Sequence, residues 1–127
     1  MKMILNTHYH GDHVGGNLDL KKVFPELDIY GPINEEIPGK THGVGAGTKF
    51  SLGETQIQVL DTPCHTSGHI SYVVDRAGED CPPILFPGDT LFVGGCGRFM
   101  EGTPEQMLHN MDQFRELPVD TLVCCGK

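Results

Sequence analysis

The chain is a succession of short apolar runs separated by turn residues. Apolar and polar residues alternate across 56–61, whereas the other runs are short and mostly apolar. Runs of this kind, bounded by Gly, Pro or Asp, are typical of β-strands. The predicted strands cover residues 3–6, 28–30, 49–52, 56–61, 70–74, 84–86 and 121–125.

Two segments have a helical pattern instead. Residues 17–24 begin at Asn17, which is suited to capping a helix, and stop at a proline. The second helix starts in a Thr-Pro-Glu-Gln string, where Thr103 can cap and Gln106 can complete a capping box, and it ends before Pro118. The apolar positions predicted to face the core are Leu18, Val23 and Phe24 in the first helix and Met107, Leu108, Met111 and Phe114 in the second.

The remaining segments are rich in Gly, Pro and polar residues and predict connections. Residues 31–47 are predicted to form a long surface loop, and residues 77–83 a connection between two strands. The resulting order is strand, helix, several strands, helix and strand, with no linker or internal repeat. This order favours one mixed α/β domain over residues 1–127.

Length and charge exclude several classes of protein. The 127 residues suffice for one small domain, and the net charge of −8 argues against a nucleic-acid partner. We expect no membrane partner, because no apolar run approaches the length of a spanning helix. The first residues do not resemble a targeting peptide, and the five Cys residues include no Cys-x-x-Cys pair. These features favour a cytoplasmic location, with a mitochondrial one as the alternative. Cys64, Cys124 and Cys125 are predicted to be buried core residues.

The strongest chemical signal is a cluster of metal-binding side chains directly after the first strand. His8, His10, Asp12 and His13 lie within six consecutive positions. In an extended segment His8 and His10 project to the same side, and a turn at Gly11 can bring Asp12 and His13 to face a second point nearby. The cluster can therefore hold two metal ions. We favour this interpretation over a solvated, His-rich surface loop.

Two further segments repeat the pattern of a potential ligand after a strand. His65 lies in a Thr-Pro-Cys-His-Thr-Ser-Gly-His string after strand 56–61, and Asp89 lies in a Pro-Gly-Asp-Thr string after strand 84–86. A single Asp at such a place is often only a turn residue. Three such segments together favour a common metal site.

These residues resemble the metallo-β-lactamase superfamily, in which the pattern His8-x-His10-x-Asp12-His13 is followed by ligands equivalent to His65 and Asp89. Residues 62–69 and 94–103 further resemble the glyoxalase II branch, the hydroxyacylglutathione hydrolases. The resemblance implies an αββα sandwich with a two-metal site at the strand ends. It also implies hydrolysis of S-D-lactoylglutathione to D-lactate and glutathione, as in methylglyoxal detoxification. Two close cations activate water and polarise the thioester carbonyl, so no Ser or Cys nucleophile is needed.

The resemblance also implies roles for individual residues. The expected metal ligands are His8, His10 and His65 for the first ion, Asp12 and His13 for the second, and Asp89 as the bridge between them. Asp12 and Asp89 are also the expected catalytic residues, whereas His69 is not expected to be a ligand. Arg98 and Phe99 are expected to contact the glutathione thioester substrate, because an anionic substrate needs a local cation. Zn²⁺ is the expected metal, with Fe or Mn as alternatives, because all three accept His and carboxylate ligands.

Three features differ from the family that the chain resembles. The family has additional strands before the first strand and a C-terminal helical domain, so we expect an incomplete sandwich that lacks both. Lys127 stands where the family has a His that completes the second metal site, so we expect that site to be incomplete. Strand edges left exposed would favour self-association.

Two other functions stay open at this point. The first is a catalytically impaired, metal-binding form of such a hydrolase. The second is an oxidoreductase like the persulfide dioxygenases, which use a single iron and share the Gly-Cys-Gly-Arg string. Gly15-Gly16-Asn17 and the helix start at Thr103 favour the hydrolase branch.

Overall fold

Eight strands and three α-helices make up the part of the chain that the computed structural model describes, residues 1–76 and 81–127. The predicted connection over 77–83 thus lies partly outside the described residues. The elements, in chain order, are β1 (Met3–Leu5), α1 (Gly11–Val14), α2 (Asn17–Val23), β2 (Asp28–Pro32), β3 (His42–Val44), β4 (Lys49–Leu52), β5 (Thr55–Asp61), β6 (Ile70–Arg76), β7 (Ile84–Phe86), α3 (Pro104–Arg115) and β8 (Leu122–Val123).

The described strands form two sheets. β1, β2 and β3 make a parallel sheet in that order, with Met3 opposite Asp28 and Tyr30 opposite His42. β4 to β8 make the second sheet in sequence order, antiparallel except for the parallel pair β7 and β8. Since β5 and β7 both run opposite to β6, the chain leaves β5, β7 and β8 at the same edge of this sheet.

The two sheets pack face to face, with helices outside them. The core between the sheets contains Val44, Ile57, Val59, Ile70 and Tyr72, with Met3, Leu5, Tyr30, Phe50 and Val74 packed against it. A second cluster contains Val14, Leu27, Ile29 and Ile37, with Ile4 and Leu20 against it, and joins α1 and α2 to the parallel sheet. On the other side, the Asn110 side chain of α3 donates to the Pro63 carbonyl at 2.9 Å. The predicted αββα layering is therefore confirmed.

The helices differ from the prediction in which residues face the core. Asn17 does not cap α2: it is the first helical residue, and its buried amide donates to the side chain of Asn6 at 2.8 Å. Leu18 and Val23 are 51% and 69% exposed, and Leu20 packs inward instead. The seven residues of α2 make only about two turns, so one face of the helix can point inward. Burial of Asn17 determines which face that is.

α3 follows the prediction at its start and departs from it along its apolar face. Thr103 and Gln106 form the predicted capping box, and Met107 is buried. Leu108 is 62% exposed, however, because it lies one position round the helix from Met107. No helix in the described ranges has both the length and the apolar character needed to cross a membrane.

The predicted surface loop 31–47 contains regular structure that the sequence pattern did not indicate. β2 extends to Pro32, and β3 pairs with it through Gly43 and Val44. Val44 is the only strongly apolar residue of β3, so local propensity gives little signal, and the pairing is set by the neighbouring strand.

The end of the chain was also predicted incorrectly. β8 covers two residues rather than five, Cys124 is exposed and Cys125 is half-buried, so these two do not fill the core. Cys64 is fully buried, as predicted, and its thiol donates to the Thr103 carbonyl at 3.4 Å.

Candidate metal centre

The segments with the predicted ligands meet at one edge of the sandwich. The loop after β1 carries His8 and His10, the loop between β5 and β6 carries His65, and a 3₁₀ turn after β7 carries Asp89. The backbone N–H of Ile70 donates to the Thr7 carbonyl at 3.0 Å, which joins the two sheets at this edge. Residues far apart in sequence are therefore held close together by the sheets rather than by the loops alone.

Three imidazole rings converge through their nitrogen atoms. His10 Nδ1 lies 3.0 Å from His8 Nε2 and 3.0 Å from His65 Nε2. His8 and His65 are buried, and His10 is half-buried. These three nitrogens form one of two groups among the described residues whose ligand atoms all lie within 4.8 Å of one another.

The outer nitrogen of each buried ring has a polar partner. His65 Nδ1 lies 2.8 Å from the Arg98 carbonyl oxygen, which can only accept a hydrogen bond, so Nδ1 carries the proton. His8 Nδ1 lies 3.0 Å from the Thr7 hydroxyl. Fixing the proton on the outer nitrogen leaves the lone pair of Nε2 directed inward, which is how metal-binding His residues are usually held. The donor set thus fits a divalent cation such as Zn²⁺, Fe²⁺ or Mn²⁺.

Asp89 lies between the first three rings and a second group of ligands. Its buried carboxylate has Oδ2 at 3.3 Å from His65 Nε2 and Oδ1 at 3.2 Å from His13 Nε2. The second group that could hold a cation consists of His8, His13 and Asp89. Asp89 is thus close to both groups of imidazoles, and His8, rather than Asp12, completes the second group.

Asp12 lies at the rim of the centre. The residues from Gly11 to Val14 form the single helical turn α1, and this turn carries Asp12 and His13. The Asp12 side chain is 61% exposed, and its Oδ2 lies 3.5 Å from His13 Nε2. Asp12 thus comes close to the second group without belonging to it.

Lys127 contacts the second group directly. Its ammonium nitrogen lies 2.8 Å from Asp89 Oδ2, 3.0 Å from Asp12 Oδ2 and 3.1 Å from His13 Nε2. The hydrogen bond to Asp89 is the main cause of a raised Lys127 pKa, and the hydrogen bond from Lys127 is the main cause of a lowered Asp12 pKa. The Lys is therefore cationic and Asp12 anionic at neutral pH.

Burial lowers the pKa of two imidazoles of the centre. Desolvation, reinforced by the neighbouring His13 and His10, lowers the pKa of His8 to about 3. Desolvation also lowers the pKa of His13, against the opposite effect of Asp89 and Asp12. Neutral rings keep the lone pairs that a cation requires.

His69 has a role that the sequence analysis did not find. It is almost fully buried, with Nδ1 2.9 Å from the Thr62 hydroxyl and 3.1 Å from the Thr90 hydroxyl. The backbone N–H of Asp89 donates to His69 Nε2 at 3.1 Å. His69 is in neither of the two candidate ligand groups of the described residues, and it holds the backbone that carries Asp89. Its partners come from separate elements, so spacing along the chain could not indicate them.

Two glycines allow the loops to approach each other. Gly97 donates its N–H to the Asp89 carbonyl at 2.7 Å, and a Cβ at this position would lie 2.8 Å from His65 Nδ1 and closer still to Asp89. Gly88 has a φ of +55°, and a Cβ there would meet His69 Nε2 at 2.7 Å. Any larger residue at either position would displace the side chains of the centre.

Two carboxylates link the neighbouring loops to the centre. Glu35 is buried in the loop after β2, and its Oε1 accepts from the Thr66 hydroxyl at 2.5 Å and from the Gly68 N–H at 3.1 Å. Glu101 accepts from the Tyr9 hydroxyl at 2.5 Å and from the Ser67 N–H at 2.7 Å. Both acids thus fix the loop that contains His65, and the sequence analysis identified neither.

The predicted substrate residues lie at the outer side of the centre. Arg98 and Phe99 have exposed side chains on the segment that passes over His65. Among the described residues, Arg98 contacts His65 through its backbone carbonyl group, which holds His65 in place. The guanidinium group is therefore accessible to a ligand in solution.

Comparisons with known proteins agree with this architecture. The sequence profile of the metallo-beta-lactamase superfamily matches residues 2–127. A hydroxyacylglutathione hydrolase of Xanthomonas euvesicatoria is 46% identical over 123 residues, which cover 97% of this chain and 46% of the relative. A cytoplasmic hydroxyacylglutathione hydrolase of Arabidopsis thaliana is 46% identical over 129 residues, covering 99% of this chain and 49% of the relative. The chain thus spans about half the length of the curated relatives it matches.

Solved structures share the fold. A metallo-beta-lactamase from Staphylococcus aureus superimposes with a TM-score of 0.83 at 28% identity, covering 99% of this chain and 40% of that protein. The structure of ETHE1 from Myxococcus xanthus gives a TM-score of 0.82 at 30% identity, covering 98% of this chain and 53% of that protein. The superfamily is one of metal-binding proteins, and the convergent His and Asp side chains could hold a metal. By fold, sequence profile and candidate ligands, the chain belongs to the metallo-beta-lactamase superfamily.

Proposed function

We propose that the chain is a metal-dependent thioester hydrolase of the hydroxyacylglutathione type, which converts S-D-lactoylglutathione and water to D-lactate and glutathione. The observation that carries the proposal is the convergence of three imidazoles beside a buried carboxylate. Relatives that are 46% identical over nearly the whole chain are named hydroxyacylglutathione hydrolases.

In this proposal His8, His10 and His65 hold a divalent cation, Zn²⁺ in the first instance, with Fe or Mn as alternatives. When bound, the cation supplies Lewis acidity, which activates water and polarises the thioester carbonyl. Asp89 completes the ligand set from the side of His13. Its backbone is fixed at the N–H by His69 and at the carbonyl by Gly97, so its carboxylate reaches the centre in one orientation.

Proton transfer from water and departure of the thiolate are the remaining steps. Asp12 is anionic and exposed at the rim, where it can accept a proton from attacking water. The leaving group is a thiolate whose conjugate acid has a pKa of about 8.5, so it departs without a strong general acid. Asp12 and Asp89 are accordingly the catalytic residues of the proposal.

Substrate recognition is assigned to the exposed segment over His65. Arg98 offers a guanidinium group to the carboxylates of glutathione, and Phe99, 38% exposed, offers an apolar surface to its carbon chain. Among the described residues, the contact of Arg98 with His65 is made by its backbone carbonyl. Arg98→Ala should therefore raise KM for the thioester while metal binding is unchanged. A parallel loss of bound metal would argue that Arg98 is a structural residue.

The direct test is hydrolysis of S-D-lactoylglutathione by protein loaded with Zn²⁺, compared with chelator-treated protein. We expect turnover that disappears with chelator and returns when the metal is restored. His65→Ala should abolish it, whereas His109→Ala, at an exposed position of α3, should not. Absence of metal-dependent turnover in correctly folded, metal-loaded protein would overturn the proposal.

Two alternatives are tested in the same experiment. A metal-binding but catalytically impaired protein is favoured by the contact between Lys127 and Asp89, and it would bind metal without turnover. A persulfide dioxygenase-like oxidoreductase would consume oxygen when loaded with iron and supplied with glutathione persulfide. We expect no such consumption.

The proposed setting is the cytoplasm, in keeping with the Arabidopsis relative that is named cytoplasmic, and a mitochondrial location is the alternative. The proposed partner is the glutathione thioester substrate alone, with neither a nucleic acid nor a membrane. Fractionation of cells that express the chain would test the location.

A further inference from the structure

The ammonium group of Lys127 lies where a second cation would be expected. Its nitrogen is within 3.1 Å of acceptor atoms of Asp89, Asp12 and His13. Asp12, His13 and Asp89 are the same three side chains that the sequence analysis assigned to a second metal ion. A positively charged atom of the chain therefore occupies the middle of that ligand set.

The fold holds Lys127 in this position from both sides. β8 runs parallel to β7, so the residues after β8 emerge at the same edge of the sheet as Asp89, which follows β7. The backbone N–H of Val93 donates to the Lys127 carbonyl oxygen at 2.9 Å, and the ammonium lies 5.5 Å from the centre of the Phe92 ring. The side chain is only 44% exposed.

The hydrogen bonds of the ammonium group match its surroundings. A Lys ammonium has three N–H donors and no acceptor. Asp89, Asp12 and the ring of His13 each supply an acceptor atom. The lone pairs that a metal ion would use are thus directed at N–H groups, and a divalent ion at the same place would meet a like charge a few ångströms away. The set of Asp12, His13 and Asp89 therefore does not fit a metal ion while Lys127 is in place.

We propose that Lys127 is a tethered cation that replaces the second metal ion, so that the chain binds one divalent cation, at His8, His10 and His65. This inference rests on the proposed metal site of the preceding section. An ammonium balances the charge of Asp89 and Asp12 but has no Lewis acidity. Lys127 therefore preserves the electrostatics of the second position without its chemistry.

The test is a titration with Co²⁺, whose visible absorption reports bound ions, together with elemental analysis after Zn²⁺ loading. Wild-type protein should bind one ion per chain. Lys127→Met keeps the length of the side chain and removes the charge, so it should bind a second ion at least about tenfold more tightly than wild-type protein does. Lys127→Arg, the matched control, keeps the charge and should stay at one ion.

Each outcome of this titration decides between the two proposals. A change from one ion to two on Lys127→Met, with none on Lys127→Arg, supports the inference. Equal metal binding by wild-type protein and Lys127→Met, whether each binds one ion or two, would overturn it and leave the proposed function standing. No bound ion in any of the folded proteins would overturn the metal site itself and, with it, the proposed function. Circular dichroism checks that the variants are folded.

Discussion

At the scale of single residues, the centre depends on fixing one nitrogen of each buried imidazole so that the other is directed inward. His65 is the clearest case, because its outer nitrogen donates to a backbone carbonyl that cannot donate in return. His69 orients Asp89 in a similar way through the backbone, since His69 Nε2 accepts a hydrogen bond from the N–H of Asp89. The ligands are thus oriented by partners that are not ligands.

Gly97→Ala tests this orientation at the closest contact of the centre. The added Cβ would overlap the Asp89 carbonyl and lie 2.8 Å from His65 Nδ1, so both ligands must move. We expect a loss of metal affinity of about tenfold to 100-fold, as is typical when the partners of metal ligands are removed. Gly95→Ala is the matched control, because a Cβ there meets nothing within 4 Å. Equal metal affinities of the two variants would contradict the role of Gly97.

The buried His rings also predict how the stability of the metal-free protein depends on pH. The unfolded chain binds a proton at His8 near pH 6.5, whereas burial delays protonation in the folded chain to a pH of about 3. Burial likewise lowers the pKa of His69. Between these limits the unfolded state binds more protons, so the free energy of unfolding decreases as the pH falls.

Urea unfolding in the presence of a chelator measures this effect. We expect the midpoint to fall steadily between about pH 7 and about pH 5.5, a range above the titration of ordinary carboxylates. A midpoint that is constant or increases over this range would contradict the burial of neutral His rings.

The convergence of the candidate ligands could be predicted from the sequence because they lie in short strings directly after strands. His8, His10, His13, His65 and Asp89 were all predicted to meet, and they do. Their supporting contacts could not be predicted in the same way. Those contacts join separate elements, and distance along the chain carries no information about them.

At the scale of elements, the loop that contains His65 is held by a neighbouring loop rather than by a strand. Glu35 accepts from Thr66 and Gly68, which both follow His65 in this loop, and its Oε2 has no partner among the described residues. The sequence predicted residues 31–47 to be a surface loop, although Glu35 and Ile37 are buried within it. The loop is therefore part of the wall of the centre.

Glu35→Ala should reveal this support. The change leaves the Thr66 hydroxyl and the Gly68 N–H unpaired, so we expect destabilisation of about 1–3 kcal/mol and weaker metal binding. The neighbouring Glu36 is exposed, so Glu36→Ala is the matched control. Chemical denaturation of both variants measures the difference. Equal stability of the two would show that Glu35 does not hold the loop.

At the scale of the whole molecule, the layered architecture could be predicted from the sequence, whereas the helix residues that face outward could not. Alternation along β5 correctly placed Ile57 and Val59 in the core between the sheets. The outward positions of Leu18 and Leu108 depend on how each helix is rotated, and an isolated sequence pattern of one or two turns does not fix that rotation.

The edge of the five-stranded sheet predicts self-association. Leu122 and Val123 of β8 are 53% and 47% exposed, and β8 has a partner strand on one side only among the described residues. Exposed apolar edge strands tend to pair with other chains. Light scattering should therefore give a mass above that of one chain at high concentration, and Val123→Lys should lower it. A concentration-independent monomer would contradict this expectation.

The central claim is that the imidazoles of His8, His10 and His65 bind a divalent cation. Crystals grown with Zn²⁺ and measured at the zinc absorption edge test it directly by anomalous diffraction. The account predicts a peak about 2.0–2.1 Å from the inward nitrogen of each of the three rings, and loss of that peak in His65→Ala. A zinc peak elsewhere in the molecule, or none between these rings, would contradict it.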